Sequence, residues 1–241
     1  MTVTRHKLSE RSIFMEKIDI LSLSPETLGQ YLAEMGEPKF RAKQLFSWLH
    51  QKQVTDFAQM TTLSLQLRQK LNEKFCINRL NIARKLASSA DDTVKYLYEL
   101  PDGNFVETVL MDYHHGKSLC ISTQVGCRMG CQFCASTIAG YVRDLQPSEL
   151  LLQIYETQRD AGCRIDSIVL MGIGEPLDNF DNVVQFFRLL SHPDGMNMSL
   201  RHAALSTCGL VPQIRQLADL RLGVTLSVSL HAPLDEVRST I

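Results

Sequence analysis

The hydrophobic pattern of the first third of the chain predicts short helices. Pro25 follows the capping residue Ser24 and precedes apolar residues at three- and four-residue spacing, and Gly36 ends the segment. Two further helices are predicted at residues 41–51 and 63–75, because apolar side chains again recur along one face. We therefore expect this part of the chain to form a small helical bundle.

After about residue 90 the pattern changes to strands. Residues 94–100 and 105–111 alternate apolar and polar positions around a Pro-Asp-Gly-Asn turn, which predicts a hairpin. Further along, strands are predicted at 118–123, 167–171, 202–206 and 225–230, and helices at 148–159, 182–190 and 211–222. This alternation predicts an α/β fold with four parallel strands and with ligands bound at their carboxyl ends.

Composition and charge divide the chain further. The chain is 44% hydrophobic and 21% charged, as expected of a globular protein. Residues 21–85 hold ten Lys and Arg against five acids, whereas residues 86–241 carry a net charge of −7. Basic helices suit nucleic-acid backbones, although a solvated helical surface explains the charge equally well. We predict an N-terminal extension at 1–20, a basic helical domain at 21–90 that the family resemblance described below identifies as RNA-binding, and an α/β core at 91–241.

Neither a membrane segment nor an export signal is expected. No run of about 18 uncharged apolar residues occurs, as a membrane-spanning helix would require. The first 20 residues lack the apolar region of a secretory signal. The seven cysteines then favour a reducing, cytoplasmic compartment, where clustered cysteines more often bind metals than form disulfides.

The most specific feature is a cysteine triplet directly after a predicted strand. Cys127, Cys131 and Cys134 follow a C-x3-C-x2-C spacing. Four-iron clusters are normally held by four thiolates, so three would leave one iron open to a further ligand. Such an iron can bind the amino and carboxylate groups of S-adenosylmethionine (SAM). A structural zinc site is the alternative, with Cys120, His114 or His115 as fourth ligand.

Two groups of polar and glycine residues follow later strands, where a ligand site is expected. Gly174 and Glu175 follow the strand at 167–171, and the carboxylate can pair with a ligand ammonium group. Ser206 ends the next strand, and the string Ser229, Leu230, His231 ends the last. Hydroxyl and imidazole groups at strand ends can bind a carboxylate or a ribose, although each can also cap a turn.

These motifs together resemble one known family. The strings CISTQVGCRMGCQFCAS, MGIGEPLDN, STCGLVP and SLHAP are similar, in order and spacing, to those of the radical-SAM RNA adenine-C2 methyltransferases. The string GEPKFRAKQLFSWLHQKQVTDFAQMTTLS resembles the accessory domain of that family. The resemblance implies a partial (β/α) barrel, incomplete here, behind a small helical domain. It also implies a 4Fe-4S cluster and SAM as cofactors.

The resemblance also assigns roles to individual residues. It implies that the cysteine triplet ligates the cluster and that Glu107 accepts a proton. It implies that Cys120 is a thiol that pairs transiently with a second catalytic cysteine. It further implies SAM contacts by Gly174, Glu175, Ser206, Ser229, Leu230 and His231. Cys208 is expected to have no part in the thiol chemistry.

The implied reaction methylates the C2 carbon of an adenine in 23S ribosomal RNA and in transfer RNA. The resemblance implies a methyl-cysteine and a transient protein–RNA adduct, with a flavodoxin-type protein as electron donor. Since the chain ends at Ile241, soon after SLHAP, the second catalytic cysteine is expected to be missing and the chain to be truncated. Two alternatives are an RNA-binding remnant with a structural metal, and a radical-SAM enzyme acting on a protein or a small molecule.

Overall fold

The computed structural model describes residues 17–241 of the chain. Residues 1–16, most of the predicted N-terminal extension at 1–20, lie outside the described residues. Across 17–241, no helix has the length and apolar character needed to cross a membrane.

The three predicted N-terminal helices are confirmed. They are α1 (Pro25–Glu34), α2 (Phe40–His50) and α3 (Leu65–Lys74). Ser24 caps α1, since its Oγ accepts a hydrogen bond from the Thr27 amide at 3.2 Å. A short parallel ladder of β1 (Ile18–Asp19) and β2 (Phe75–Cys76) joins the start and the end of this bundle. The sequence does not predict these two strands, because two residues are too few to show a periodic pattern.

The rest of the chain is built on one seven-stranded sheet. Its first four strands form antiparallel hairpins: β3 (Asn81–Ala87), β4 (Val94–Glu99), β5 (Phe105–Tyr113) and β6 (Gly116–Cys120). Two further strands, β7 (Gln124–Gly126) and β8 (Tyr141–Asp144), form a separate antiparallel ribbon. The sheet then continues in parallel from β6 through β9 (Ser167–Leu170), β10 (Ala203–Thr207) and β11 (Thr225–Val228).

The predicted α/β fold with four parallel strands is confirmed, and no barrel closes within residues 17–241. The predicted hairpin at 94–111 is β4 and β5. The strand β3 was missed, because all seven of its residues are exposed and it shows no apolar alternation. Since β3 pairs with β4, the sheet begins before residue 90.

Helices cover one face of this sheet. They are α4 (Pro147–Ala161), α5 (Phe180–Ser191) and α6 (Val211–Leu220), and a last short helix, α7 (Asp235–Arg238), is exposed. The longest, α4, begins with a reciprocal capping box between Gln146 and Glu149. It packs on the side of the sheet that carries the buried residues Tyr98 and Thr108, whose hydroxyls bond to α4 side chains. The alternate residues of each strand face the other side, which we call the open face.

A buried contact joins the helical bundle to α4. The Nδ1 atom of His50 lies 3.0 Å from the hydroxyl of Tyr155, and both residues belong to a continuous core. Burial lowers the pKa of His50 to about 3, so the imidazole is neutral at physiological pH. The bundle therefore packs directly on the α/β core.

Candidate cofactor site at the ends of the parallel strands

A cavity of about 230 Å³ opens where the parallel strands end. Residues from the loops after β7, β9, β10 and β11 meet there, as expected for the carboxyl edge of a parallel sheet. Most of the residues predicted to bind a cofactor line this cavity: Cys127, Cys131, Cys134, Gly174, Glu175, Ser206, Ser229 and His231. Sequence elements up to 104 residues apart are thus brought to one place.

One wall is the cysteine loop, which we define as residues 127–140 between β7 and β8. Gly126 at its start has φ of +73°, and a Cβ there would lie 1.7 Å from the carbonyl oxygen of Gly140. Only glycine fits this close backbone crossing. Within the loop, the Thr137 hydroxyl donates to the carbonyl oxygen of Cys134 at 2.8 Å. The loop is otherwise open to solvent, and the side chain of Phe133 is 59% exposed.

The three thiols differ in burial but share the same cavity. Cys127 is buried, whereas Cys131 and Cys134 are half-buried. Burial raises the pKa of Cys127, and the nearby charges of Cys134 and Cys131 raise it further. Within the described part of the chain, no three or more His, Cys, Asp or Glu side chains already stand close enough to hold a metal ion.

The donor set nevertheless fits an iron–sulfur cluster by its chemistry. Soft thiolates are the ligands such clusters require, and here three thiols line one cavity without a carboxylate or imidazole between them in sequence. Hard cations such as Mg²⁺ prefer oxygen ligands and are a poor match.

The opposite wall is built around Glu175, which is buried and 5% exposed. Its Oε2 accepts a hydrogen bond from the Cys208 amide at 2.8 Å, and its Oε1 accepts one from the Leu177 amide at 3.0 Å. Each carboxylate oxygen can accept further bonds, so the group can still bind a ligand ammonium.

Gln124 fixes this wall and was missed by the sequence analysis. Its Oε1 accepts from the Glu175 amide at 2.9 Å, while its Nε2 donates to Asp144 at 2.8 Å and to Asp178 at 2.7 Å. A Cβ on Gly174 would lie 2.6 Å from the Gln124 Cβ, so the two segments touch. Gln124 lies within the string CISTQVGCRMGCQFCAS, and this position is the signal in the sequence that indicates a place near the site.

The later strand ends supply hydroxyl and imidazole groups. The Oγ atoms of Ser206 and Ser229 lie 3.1 Å apart. The ring of His231 packs on the ring of Phe133, with centroids 4.7 Å apart, and so joins the two walls. Leu230 is exposed and does not line the cavity, unlike its predicted neighbours.

Glu107 and Cys120 lie away from the cavity, on the open face. Cys120 is opposite Val109 in the β5–β6 ladder, and Glu107 is two residues before Val109, so the three side chains share one face. The Glu107 carboxylate lies 2.7 Å from the ammonium group of Lys95. Burial raises the pKa of the Cys120 thiol, which therefore stays protonated at neutral pH.

Comparison with known proteins agrees with this arrangement. Residues 18–77 match the family model described as the ribosomal RNA large subunit methyltransferase N-terminal domain, and residues 121–241 match that of the radical SAM superfamily. In a solved structure, a radical SAM methyltransferase from Sphaerobacter thermophilus superimposes with a TM-score of 0.86 and 37% identity. That match covers 92% of this chain and 66% of the other.

Curated relatives extend the similarity to almost the whole chain. A probable dual-specificity RNA methyltransferase RlmN from Lachnoclostridium phytofermentans is 53% identical over 94% of this chain and 64% of its own length. The protein of the same name from Alkaliphilus oremlandii is 52% identical over 93% of this chain and 65% of its own. The chain thus spans slightly less than two thirds of the length of these relatives, and it belongs to the radical SAM superfamily.

Proposed function

We propose that this chain is the cofactor-holding part of an RNA methyltransferase that modifies the C2 carbon of adenine in 23S ribosomal RNA and transfer RNA. The observation that carries the proposal is the meeting of the cysteine triplet and Glu175 in one cavity at the strand ends. The two segments come from consecutive β-α units, so the fold itself brings three thiols next to a carboxylate.

Different residues of the cavity would bind the cluster and SAM. Cys127, Cys131 and Cys134 would hold a 4Fe-4S cluster, which supplies with SAM the radical chemistry that a non-nucleophilic carbon requires. Glu175 would bind the amino group of SAM through a charge-assisted hydrogen bond. The Ser206 and Ser229 hydroxyls would bind the carboxylate or the ribose of SAM.

The open face would receive the adenine. Glu107 is only half-exposed but stays reachable from this face, and its carboxylate would accept the C2 proton. The Cys120 thiol lies on the same face and would act as a nucleophile only after deprotonation, because burial raises its pKa. Both residues would act in steps that follow the cofactor chemistry.

The helical bundle would contact RNA through its basic surface. Lys43 on α2 pairs with Asp194 at 2.9 Å but has a side chain that is 72% exposed, and Lys52 stacks on Trp48 with its ammonium 3.5 Å from the ring centroid. Such side chains neutralise phosphates and release counterions. A flavodoxin-type electron donor and a cytoplasmic setting belong to the same proposal.

The cofactor part is tested on this 241-residue chain. After anaerobic reconstitution with iron and sulfide we expect about four irons per chain and an absorbance band at about 400 nm. Calorimetry with SAM should then report binding to the reconstituted chain only. A colourless chain carrying one tetrahedral zinc would contradict the proposal and favour a structural metal site.

The reaction itself is tested in a chimera. This chain replaces the matching 64% of the Lachnoclostridium phytofermentans relative, whose remaining segment is kept. Ribosomal and transfer RNA from a host without adenine-C2 methylation are then analysed by mass spectrometry. We expect 2-methyladenosine with the chimera and none with its Cys131→Ala variant; a chimera that binds the cluster but yields only another modified base would refute the C2 assignment.

A further inference from the structure

A fourth thiol lines the cofactor cavity. Cys208 follows β10 and faces the same space as Cys127, Cys131 and Cys134. It also borders an adjoining cavity together with Cys131, so these two residues line both cavities. The resemblance gives Cys208 no role, yet iron–sulfur clusters are normally held by four thiolates.

The surroundings of Cys208 fix its backbone against Glu175. Its amide donates to Glu175 Oε2 at 2.8 Å, and its carbonyl oxygen accepts a hydrogen bond from Arg238 Nη2 at 3.1 Å. Cys208 and Glu175 line the same cavity, so the thiol and the carboxylate share one space.

We propose that Cys208 is a replaceable fourth ligand of the cluster, which occupies the open iron until SAM binds. The inference rests on the proposed function, because it requires the cysteine triplet to hold a cluster. In ligation the S–H bond of Cys208 would break, its proton would pass to the Glu175 carboxylate in the same cavity, and a sulfur–iron bond would form. No oxidation or reduction takes place in this exchange.

The same geometry explains why the ligand is replaceable. Glu175 holds the Cys208 backbone through its amide at 2.8 Å and, in the proposed function, also binds the SAM amino group. When SAM binds, the sulfur–iron bond would break, the proton would return from Glu175 to the Cys208 sulfur, and the SAM ammonium group would bind the freed carboxylate. Cys120 cannot play this part, because it lies on the open face and does not line the cavity.

The test compares Cys208→Ser, Cys208→Ala and the parent chain after reconstitution without SAM. Serine keeps a hydroxyl that can bond to Glu175 but removes the soft sulfur ligand. Cys163→Ala is the matched control, since Cys163 is also half-buried but lies outside the cofactor cavity. Each chain is treated with ferricyanide and a chelator, and iron per chain and the EPR signal of a three-iron cluster are followed over time.

We expect the parent and Cys163→Ala to keep about four irons, while both Cys208 variants lose one iron at least about 10-fold faster and develop the three-iron signal. Saturating SAM should abolish the difference, because it occupies the open iron in every chain. Equal iron loss by Cys208→Ser and the parent would overturn the inference and leave the proposed function intact. Failure of the parent to assemble any cluster would instead refute the proposed function.

A Cys208→Ser variant that folds, as judged by circular dichroism, but assembles no cluster would also overturn the inference, because a ligand that SAM displaces cannot be required for assembly. The serine variant keeps the volume and the polarity of the side chain. Loss of the cluster in that variant with an unchanged spectrum therefore reports the sulfur atom and not the fold.

Discussion

The two walls of the cofactor cavity are built in different ways. The Glu175 wall stands on the ends of buried strands, and the hydrogen bonds of Gln124 and of the neighbouring amides hold it in place. The cysteine loop crosses itself once at Gly126, and half of its residues are exposed, although Arg128 is tied to Asp178 at 2.8 Å. In the proposed function, the protein therefore determines the shape of the Glu175 wall, whereas the cysteine loop takes part of its shape from the cluster that its thiols bind.

In the proposed function, this difference follows from the group that each wall binds. A carboxylate binds an ammonium group best when it is already oriented, because no ordering is then needed on binding. Thiolates bind iron strongly enough to order their own loop, and metal binding commonly supplies part of the folding free energy of such segments. The following variants test whether the walls respond separately.

The largest effect is expected for Cys131→Ala. In the presence of saturating SAM, which displaces Cys208, this variant keeps only two thiolate ligands, so the absorbance at about 400 nm and nearly all bound iron should be lost. The free energy of unfolding in the absence of iron should stay within about 0.5 kcal/mol of the parent value, because the side chain is only half-buried. Iron analysis and urea unfolding measure the two quantities, and a variant that keeps its cluster would exclude Cys131 as a ligand.

The sequence predicted the parts of the site that repeat known chemistry. The cysteine spacing and the strand-end position of Glu175 are visible in the sequence alone, and the structure brings both segments to one cavity. The sequence did not predict the role of Gln124, whose three partners come from segments up to 54 residues away. An amide side chain has no characteristic spacing, so its role becomes visible only when the strands are paired.

The fold was predictable for a similar reason. Strands and helices with clear periodicity, such as β9 and α4, were found within a few residues of their observed limits. The ribbon of β7 and β8 was missed, because its strands are three and four residues long and contain glycine or charged residues. Tertiary contacts determine such short elements, and sequence patterns do not.

The next effect concerns the crossing point of the cysteine loop. Gly126 and Gly130 have similar φ values of +73° and +75°, but only a Cβ on Gly126 meets backbone atoms. Gly130→Ala should therefore cost about 1 kcal/mol for the left-handed conformation alone. Gly126→Ala should cost about 3 kcal/mol, because the overlap with Gly140 is added to that strain. Urea unfolding of both variants tests this, and equal losses would mean that the base of the loop yields easily.

A smaller change is expected on the other wall. Glu175→Gln removes the negative charge and should weaken SAM binding about 30-fold, or about 2 kcal/mol, with iron content unchanged. Calorimetry on the reconstituted chain gives the affinity, and Glu236→Gln on the exposed helix α7 is the matched control. If Glu175→Gln also lost its cluster, the two walls would be coupled and would not respond separately to substitution.

The smallest effect is expected where β8 is tied to α4. Arg143 donates from Nη1 and Nη2 to the two carboxylate oxygens of Glu149, each at 2.8 Å, and from Nε to Asp102 at 2.6 Å. Lysine cannot reproduce this fork, so Arg143→Lys should lower the free energy of unfolding by about 1 kcal/mol. Arg201→Lys, at an exposed position, is the matched control. Because β8 carries the end of the cysteine loop but none of its thiols, iron content should not change; a loss of iron would show that the loop depends on this anchor as well as on its ligands.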